Sequence, residues 1–361
     1  MSWFWFAIIA LLCWSGSDFF SKIGCRDSRD KYSQFKMVTA VGVVMGLHAA
    51  YEIFIGGVQI SWEVILTYLP VSLLYICSMT LGYVGLRYIE LSISSPICNA
   101  SGALVAILAI LTGTAGAMEP MQYVAIGLAC LGVIGLGFVE ANEDDALRAA
   151  RQEASNYKYA KSWLALALPI AYCLLDAAGS FSDAIVLNHL HGAFIRANAP
   201  AEFASVFASG IPDYLLNAEL PFPAEFLSSF TAEQGEALRT FVVEMSDASA
   251  NSANVAYELT FLFAGVVCLL YTYPIRKQKS QFKTEFPKYI GAAFETAGQF
   301  AYIFALADED HVALSAPIIA SYCMVSVLWS RIFLKEKLSW KHYACIAVTF
   351  AGILIMGIYD M

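Results

Sequence analysis

Long apolar runs separated by shorter polar connections recur along the whole chain. A bilayer core about 30 Å thick is spanned by about 20 apolar residues in a helix. Ten runs meet this requirement, at about residues 3–24, 32–54, 64–88, 91–113, 120–140, 162–187, 254–275, 287–307, 312–334 and 342–359. The pattern predicts an all-α membrane protein with ten transmembrane helices.

Two polar segments interrupt these runs. A linker covers residues 141–160, and an insertion covers residues 188–253 between helices 6 and 7. The insertion carries eight acidic residues against two arginines, a net charge of −6. The sequence TAEQ from Thr231 is a capping box and predicts a helix to about Met245. We expect short amphipathic helices over the outer mouth, either as a lid or docking cap or as a tolerated loop.

Composition agrees with a membrane protein and excludes other classes. The 361 residues are 59% hydrophobic and only 14% charged, with a mean hydropathy of +0.62. A soluble domain has about 25% charged residues. The net charge of −9 and the lack of a basic stripe exclude nucleic-acid binding. The nine cysteines follow the apolar runs, so neither a disulfide framework nor a metal site is expected.

Lysine and arginine indicate the orientation, because they accumulate on the cytoplasmic side. Counting adjoining helix ends, 19 of the 21 basic residues belong to odd-numbered connections, and the exceptions, Arg196 and Arg239, lie in the insertion. Both termini and the insertion are therefore expected outside. No basic residue precedes the first apolar run, so no cleavable signal peptide is expected. Short loops favour a bacterial inner membrane.

The two halves of the chain, residues 1–140 and 161–361, resemble each other. The matching positions are Trp14 with Tyr172, Asp18 with Asp176, Ser94 with Ser315, Pro96 with Pro317, Tyr123 with Tyr343 and Gly132 with Gly352. Each half has five helices. Because five is odd, the second half would enter the membrane from the opposite side, which predicts an inverted repeat. In secondary transporters with such repeats, the site lies near the midplane between the halves.

Both ends of the chain resemble a known family. The end reads RIFLKEKLSWKHYACIAVTFAGILIMGI, and the opening contains ALLCWSGSDFFSKIG. They resemble the drug/metabolite transporter superfamily, in its ten-helix EamA-type branch. The resemblance covers essentially all of the chain outside residues 188–253. It implies a ten-helix 5+5 inverted repeat that moves small metabolites across the membrane. Two features depart from the family: the first half has TGTAGAMEPM where the second has LKEKLSWK, and the insertion is unusual.

Acidic residues within the runs identify a candidate site, because ionisable groups in a bilayer normally face a cavity or a partner. Trp14, Asp18 and Lys22 share one face of helix 1. Asp18 either binds a proton or a cationic group or pairs with Lys22. Asp176 in helix 6 is its repeat counterpart, and we expect both to line a central cavity. Asp183 lies nearer the outer end and is expected to be solvated.

Helix 8 carries the deepest acid. Glu295 lies roughly 12 Å into the predicted helix, near mid-membrane. A carboxyl group at that depth suits proton exchange, with a hydrogen-bonded structural role as the alternative. Gln299 and Tyr302 continue the same polar face. The repeat counterpart of Glu295 is the apolar Ile76, so the cavity should be chemically asymmetric.

Small hydroxylated residues on helices 4 and 9 are expected mainly to mediate packing. The histidines His189 and His191 are expected at the surface, because a metal site lacks a third clear ligand. The predicted substrate- or proton-binding residues are Glu295, Asp176, Asp18, Gln299, Tyr302, Asn99, Tyr75 and Trp14. No catalytic residue or metal ligand is assigned, and no cofactor is expected.

The predicted function is gradient-driven secondary transport of small organic metabolites. The acidic faces favour cationic or zwitterionic solutes, or proton-coupled export. The sequence has no GxxxxGK[ST] phosphate-binding loop and no HExxH or GxSxG motif, so neither ATP-driven transport nor an enzyme is expected. The alternative is a membrane sensor or scaffold acting through the insertion. Expected partners are a small-molecule solute and the lipid bilayer. The oligomeric state is left open, a dimer being one option.

Overall fold

The computed structural model describes residues 2–25, 30–88, 97–113, 118–142, 163–207, 210–216, 222–307, 311–333 and 338–359. Within these ranges every regular element is a helix. The long helices are α1 (Trp3–Cys25), α2 (Ser33–Phe54), α3 (Trp62–Tyr88), α4 (Ser101–Thr112), α5 (Pro120–Ala141), α6 (Trp163–Asn198), α7 (Ala232–Leu270), α8 (Phe282–Leu306), α9 (Val312–Phe333) and α10 (Trp340–Tyr359). A π-helical turn, Tyr271–Ile275, extends α7, and Ser321 interrupts α9.

Most of these helices are long and apolar enough to cross a membrane. Eight segments among the described residues qualify, namely Trp3–Cys25, Ser33–Phe54, Trp62–Val84, Pro120–Val139, Ala167–Asn198, Ala232–Ile275, Val312–Phe333 and Trp340–Tyr359. The apolar segment containing α4 is shorter. The helix α8 carries Glu295, Thr296 and Gln299 in its central turns. The protein is thus an all-α membrane protein.

The helices pack in pairs that each join one helix from the first half of the chain to one from the second. The pairs are α1 with α8, α2 with α7, α3 with α6, α4 with α9 and α5 with α10. At the crossing of α2 and α7, Gly42 and Gly265 face each other. A methyl group on Gly42 would lie 2.7 Å from the carbonyl oxygen of Phe261 and 2.8 Å from the Cα of Gly265. Glycine is therefore required for the close approach of these two helices.

The structure corrects two predicted helix ends. Helix 6 was expected to end at residue 187, but α6 continues to Asn198, and helix 7 was expected to begin at 254, but α7 begins at Ala232. The capping box at Thr231 and Gln234 is confirmed, although its helix continues far beyond Met245. These extensions need not be as apolar as a lipid-facing segment, because they are covered by each other and by the chain between them. A search for apolar runs therefore ends before it reaches these extensions.

Residues 188–253, here called the cap, have their own apolar core. Three single-turn helices, Ala204–Phe207, Asp213–Leu216 and Ala224–Leu227, lie between the extended ends of α6 and α7. The core consists of Ile195, Phe203, Phe207, Leu215, Phe222, Leu238, Phe241 and Val242. His189 is exposed as expected, but the prediction for His191 is wrong. Its two ring nitrogens lie 3.0 Å from the carbonyl oxygens of Leu216 and Val242, inside the cap.

Some predictions concern residues outside the described ranges. They are the residues Ser94 and Pro96 of the repeat and most of the predicted linker, residues 143–160.

Replacing Gly42 with alanine tests the crossing of α2 and α7. We expect Gly42→Ala to cost about 1–3 kcal/mol of stability, because the added methyl group forces two backbones apart. Thermal unfolding of the detergent-solubilised protein measures this change. The matched control is Gly127→Ala in α5, where nothing lies within 4 Å of the new methyl group. An equal loss of stability in both variants would contradict the close-packing argument.

Candidate functional site

A cavity of about 130 Å³ lies among α1, α3, α4, α6, α7, α8 and α9. All eight residues predicted as a binding site line it. Trp14 and Asp18 come from α1, Tyr75 from α3, Asn99 from the turn before α4, Asp176 from α6, and Glu295, Gln299 and Tyr302 from α8. The helix pairing therefore brings together residues that are up to 288 positions apart (Trp14 and Tyr302) in the sequence. Their role in binding remains a prediction.

The three cavity carboxyl groups have serine hydroxyls as neighbours. Asp18 is hydrogen-bonded to Ser326, and Glu295 to Ser17. Asp176 is hydrogen-bonded to serines of α3 and α4, Ser78 and Ser101. Among the described residues that line the cavity, none is basic. A buried carboxylate without a cation is costly, so these groups bind a proton or a cationic ligand most readily.

The structure places Asp18 close to both Lys22 and the cavity. Lys22 lies one helical turn along α1 and acts on Asp18 electrostatically. It is not among the residues that line the cavity, whereas Asp18 is. The carboxyl group of Asp18 is therefore presented to the cavity even with Lys22 nearby.

Several polar atoms at the wall formed by α1 and α8 have no hydrogen-bond partner in the described structure. They are Trp14 Nε1, Asp18 Oδ2, Ser21 Oγ and Gln299 Nε2. All four residues line the cavity. A buried polar group without a partner costs about 1–3 kcal/mol. The wall thus offers two N–H donors, one hydroxyl and one carboxylate oxygen to a solute that can match them.

Aromatic side chains form much of the remaining lining. The ring of Trp14 lies 4.9 Å from that of Tyr302 and 6.1 Å from that of Tyr322, measured between centroids. Sequence reasoning did not select Tyr83 and Tyr257, which also line the cavity. Tyr83 was detectable, since it is the counterpart of Tyr302 at the spacing of 219 residues that relates helices 3 and 8. Tyr257 carried no such signal.

The expectation for Asp183 is wrong, because this residue is not solvated. Its side chain is 0% exposed. Its Oδ1 accepts a hydrogen bond from the hydroxyl of Tyr68 at 2.6 Å, and its Oδ2 accepts one from Tyr75 at 3.2 Å. The hydroxyls of Tyr75 and Tyr302 are also in contact. Asp183 lies within the predicted span of helix 6, and its burial comes from α3, whose Tyr68 and Tyr75 cover the carboxyl group.

A cluster of ion pairs joins α2 and α8 at their predicted cytoplasmic ends. Lys36 Nζ lies 2.8 Å from Asp30 Oδ2 and 3.1 Å from Glu285 Oε1. Lys288 Nζ lies 3.0 Å from Glu285 Oε2 and is only 1% exposed. The basic residue nearest to Glu295 along α8 thus binds Glu285 instead. Glu295 is left to the cavity.

Comparison with known proteins finds a family match in the second half of the chain. Residues 249–358 match the EamA-like transporter family. The match runs from α7 to α10 and confirms the predicted resemblance to the drug/metabolite transporter superfamily. EamA-like proteins form a transporter family and not an enzyme family, which indicates a transporter of small molecules.

The wider comparisons extend this result only to the fold. A solved crystal structure, titled simply as that of a protein, is similar with a TM-score of 0.58, at 10% sequence identity. The similarity covers 99% of this chain and 96% of the other. No curated protein matches the sequence.

The shared carboxylate of Glu285 can be tested by removing its charge. We expect Glu285→Gln to cost about 3–5 kcal/mol, because two largely buried lysines lose their common partner. Thermal unfolding in detergent measures the loss. The control is Glu244→Gln, an exposed acid of the cap, which should change stability by less than about 0.5 kcal/mol. Equal stability of the two variants would mean that the cluster contributes little.

Proposed function

We propose that the protein is a gradient-driven secondary transporter of small organic metabolites. The observation that carries the proposal is the convergence of Asp18, Asp176 and Glu295 on one cavity whose described lining has no basic residue. Asp18 belongs to the first half of the chain, and Asp176 and Glu295 to the second. A site between two halves suits transport in which the halves move around a bound solute.

We further propose that ten helices form a 5+5 inverted repeat. The pairing of α1 with α8 has a counterpart in the pairing of α6 with α3, as a two-fold relation between the halves requires. The pairs α2 with α7, α4 with α9 and α5 with α10 each join a helix to its own counterpart. This pairing scheme supports the repeat independently of the sequence matches.

Reciprocal contacts at the helix crossings support the same symmetry. A methyl group on Gly132 would lie 2.9 Å from the carbonyl oxygen of Cys345, and one on Gly352 would lie 2.6 Å from that of Ala125. Gly352 lies 220 positions after Gly132, and Cys345 lies 220 positions after Ala125, as in the sequence repeat. The crossing of α5 and α10 is therefore the same when the two helices are exchanged.

The chemistry of the cavity favours cationic or zwitterionic solutes, or proton-coupled export. Carboxylates attract an ammonium group, and the faces of Trp14 and the tyrosines favour a cation near an aromatic ring. The unpartnered donors Trp14 Nε1 and Gln299 Nε2 suit an acceptor on the same solute. In proton-coupled export, the carboxyl groups would bind a proton and the solute in turn.

The proposed orientation places the cap and both termini outside a bacterial inner membrane. It rests on the distribution of lysine and arginine. The ion pairs of Lys36 and Lys288 lie at the ends of α2 and α8 that this orientation assigns to the cytoplasm.

Proton movement in reconstituted liposomes tests the function. We expect one or more members of pools of amines, amino acids, nucleosides and sugars to cause a pH change inside the liposomes. Glu295→Gln should lower this solute-dependent signal by about 10- to 100-fold, as expected for the loss of a charge-assisted hydrogen bond of about 1.5–3 kcal/mol. The matched control, Glu244→Gln in the cap, should retain the signal.

The other outcomes are informative. Solute flux without proton movement, unchanged in Glu295→Gln, would keep the transporter and remove Glu295 from its mechanism. No flux with any pool would favour the alternative of a sensor or scaffold that acts through the cap.

A further inference from the structure

We propose that Asp183, Tyr68, Tyr75 and Tyr302 form a lock that closes the cavity on its cap side. This inference rests on the proposed transport function, because a carrier must close one side of its site while the other is open. The four residues come from α3, α6 and α8. We call them the tyrosine lock.

The position of the tyrosine lock follows from the two helices that carry most of it. Asp176 lines the cavity, and Asp183 lies about two turns further along α6 toward the cap. Tyr75 also lines the cavity, and Tyr68 lies about two turns nearer the start of α3. Because α3 runs antiparallel to α6, Tyr68 and Asp183 form a layer between the cavity and the cap.

This layer is dry. Tyr68 and Asp183 are each 0% exposed, and neither lines the cavity. The carboxyl group of Asp183 has tyrosine hydroxyls on both oxygens. A charged or polar group in such surroundings is costly unless its hydrogen bonds are made. Opening the layer to water would therefore exchange these bonds for bonds to water.

The hydrogen bonds of the tyrosine lock have one consistent direction. Tyr68 and Tyr75 both donate to Asp183. With the hydroxyl hydrogen of Tyr75 donated to Asp183, Tyr302 is the donor in its contact with Tyr75. Ser180 on α6 is also hydrogen-bonded to both Tyr75 and Tyr302. The chain runs from the cavity wall at Tyr302 through Tyr75 to Asp183. Removing any hydroxyl interrupts it.

The lock also joins two helix pairs. The helix α3 packs mainly against α6, and α8 packs mainly against α1. The contact between the hydroxyls of Tyr75 and Tyr302 connects these pairs across the cavity. Separating the pairs on the cap side would require this contact to break.

The opposite end of the cavity has different chemistry at the repeat-related positions. At the spacings that relate the helices, Asp183 corresponds to Cys25 and Tyr75 corresponds to Phe294. A thiol and a phenyl ring cannot reproduce a carboxylate that accepts from a tyrosine. The lock therefore acts at one end only.

Groups that face Asp183 from the packed helices are tyrosines. They are Tyr68 and Tyr75 on α3, Tyr302 on α8 and, behind Tyr75, Tyr257 on α7. Tyr257 provides a matched control. Its ring packs edge-on against Tyr75 at 6.0 Å, while its hydroxyl contacts Met79 Sδ at 3.4 Å and not the lock.

The test measures how fast a membrane-impermeant, positively charged methanethiosulfonate reaches the cavity from the cap side. The probe is the thiol of Cys98, which lines the cavity. Modification is followed by mass spectrometry of the Cys98 peptide, in vesicles of each orientation. Labelling of Ser228→Cys, an exposed position in the cap, identifies the vesicles whose cap faces the reagent.

We expect Tyr68→Phe, Tyr75→Phe and Asp183→Asn each to raise the rate of Cys98 modification from the cap side about fivefold. This is the change in the ratio of open to closed states expected from losing one hydrogen bond of typical strength. Tyr257→Phe should label as slowly as the parent protein. The rate of Cys98 modification from the opposite side should not rise in any variant. A general loosening of the structure would raise the rate from both sides.

Two controls distinguish opening of the lock from unfolding of a variant and from a failure of the proposed transport function. Cys323 is 1% exposed and does not line the cavity, so its modification would indicate an unfolded variant. The labelling needs no solute, so it reports on the lock even if no flux is found in liposomes. The proposal would be overturned if the three lock variants were modified from the cap side at the same rate as Tyr257→Phe while Cys323 stayed unmodified.

Discussion

Burying carboxyl groups around a cavity whose described lining has no basic residue is the constraint on which the site depends. Each of the cavity acids, Asp18, Asp176 and Glu295, has a serine hydroxyl as a neighbour and faces the same space. Asp183 meets the same constraint differently, since tyrosine hydroxyls occupy both of its oxygens. The first group of acids remains available to a solute or a proton. The second is committed to closing the structure.

The cost of burying charge also explains where the buried lysines lie. Lys36 and Lys288 are buried, but they share Glu285 at one end of α2 and α8. This arrangement holds the charges of Lys36 and Lys288 away from the cavity, whose described lining contains no basic residue. A cationic or zwitterionic solute would then supply what the cavity lacks. The unpartnered polar atoms of Trp14 and Gln299 indicate that the same wall also contacts an acceptor.

Close glycine contacts allow these polar helices to be positioned. At Gly42 and Gly265, and again at Gly132 and Gly352, a single methyl group would meet backbone atoms of the facing helix. In lipid, packing of this kind replaces much of the hydrophobic driving force that holds soluble helices together. The crossings determine which faces of the remaining helices turn inward. They thereby bring residues from both halves of the chain to one cavity.

The sequence by itself predicted the class of protein, most of the helices and the eight residues that the fold brings to the cavity. Apolar runs of membrane length and acids placed at helical spacing are local signals, and the cost of burying charge makes them reliable. The tertiary structure decided the ends of α6 and α7 and the environments of Asp183 and His191. These depend on which surfaces cover one another, because the cap shields polar helix extensions and α3 covers Asp183. Side-chain partners far apart in the chain, such as Tyr68 and Asp183, leave no local pattern, so packing alone reveals them.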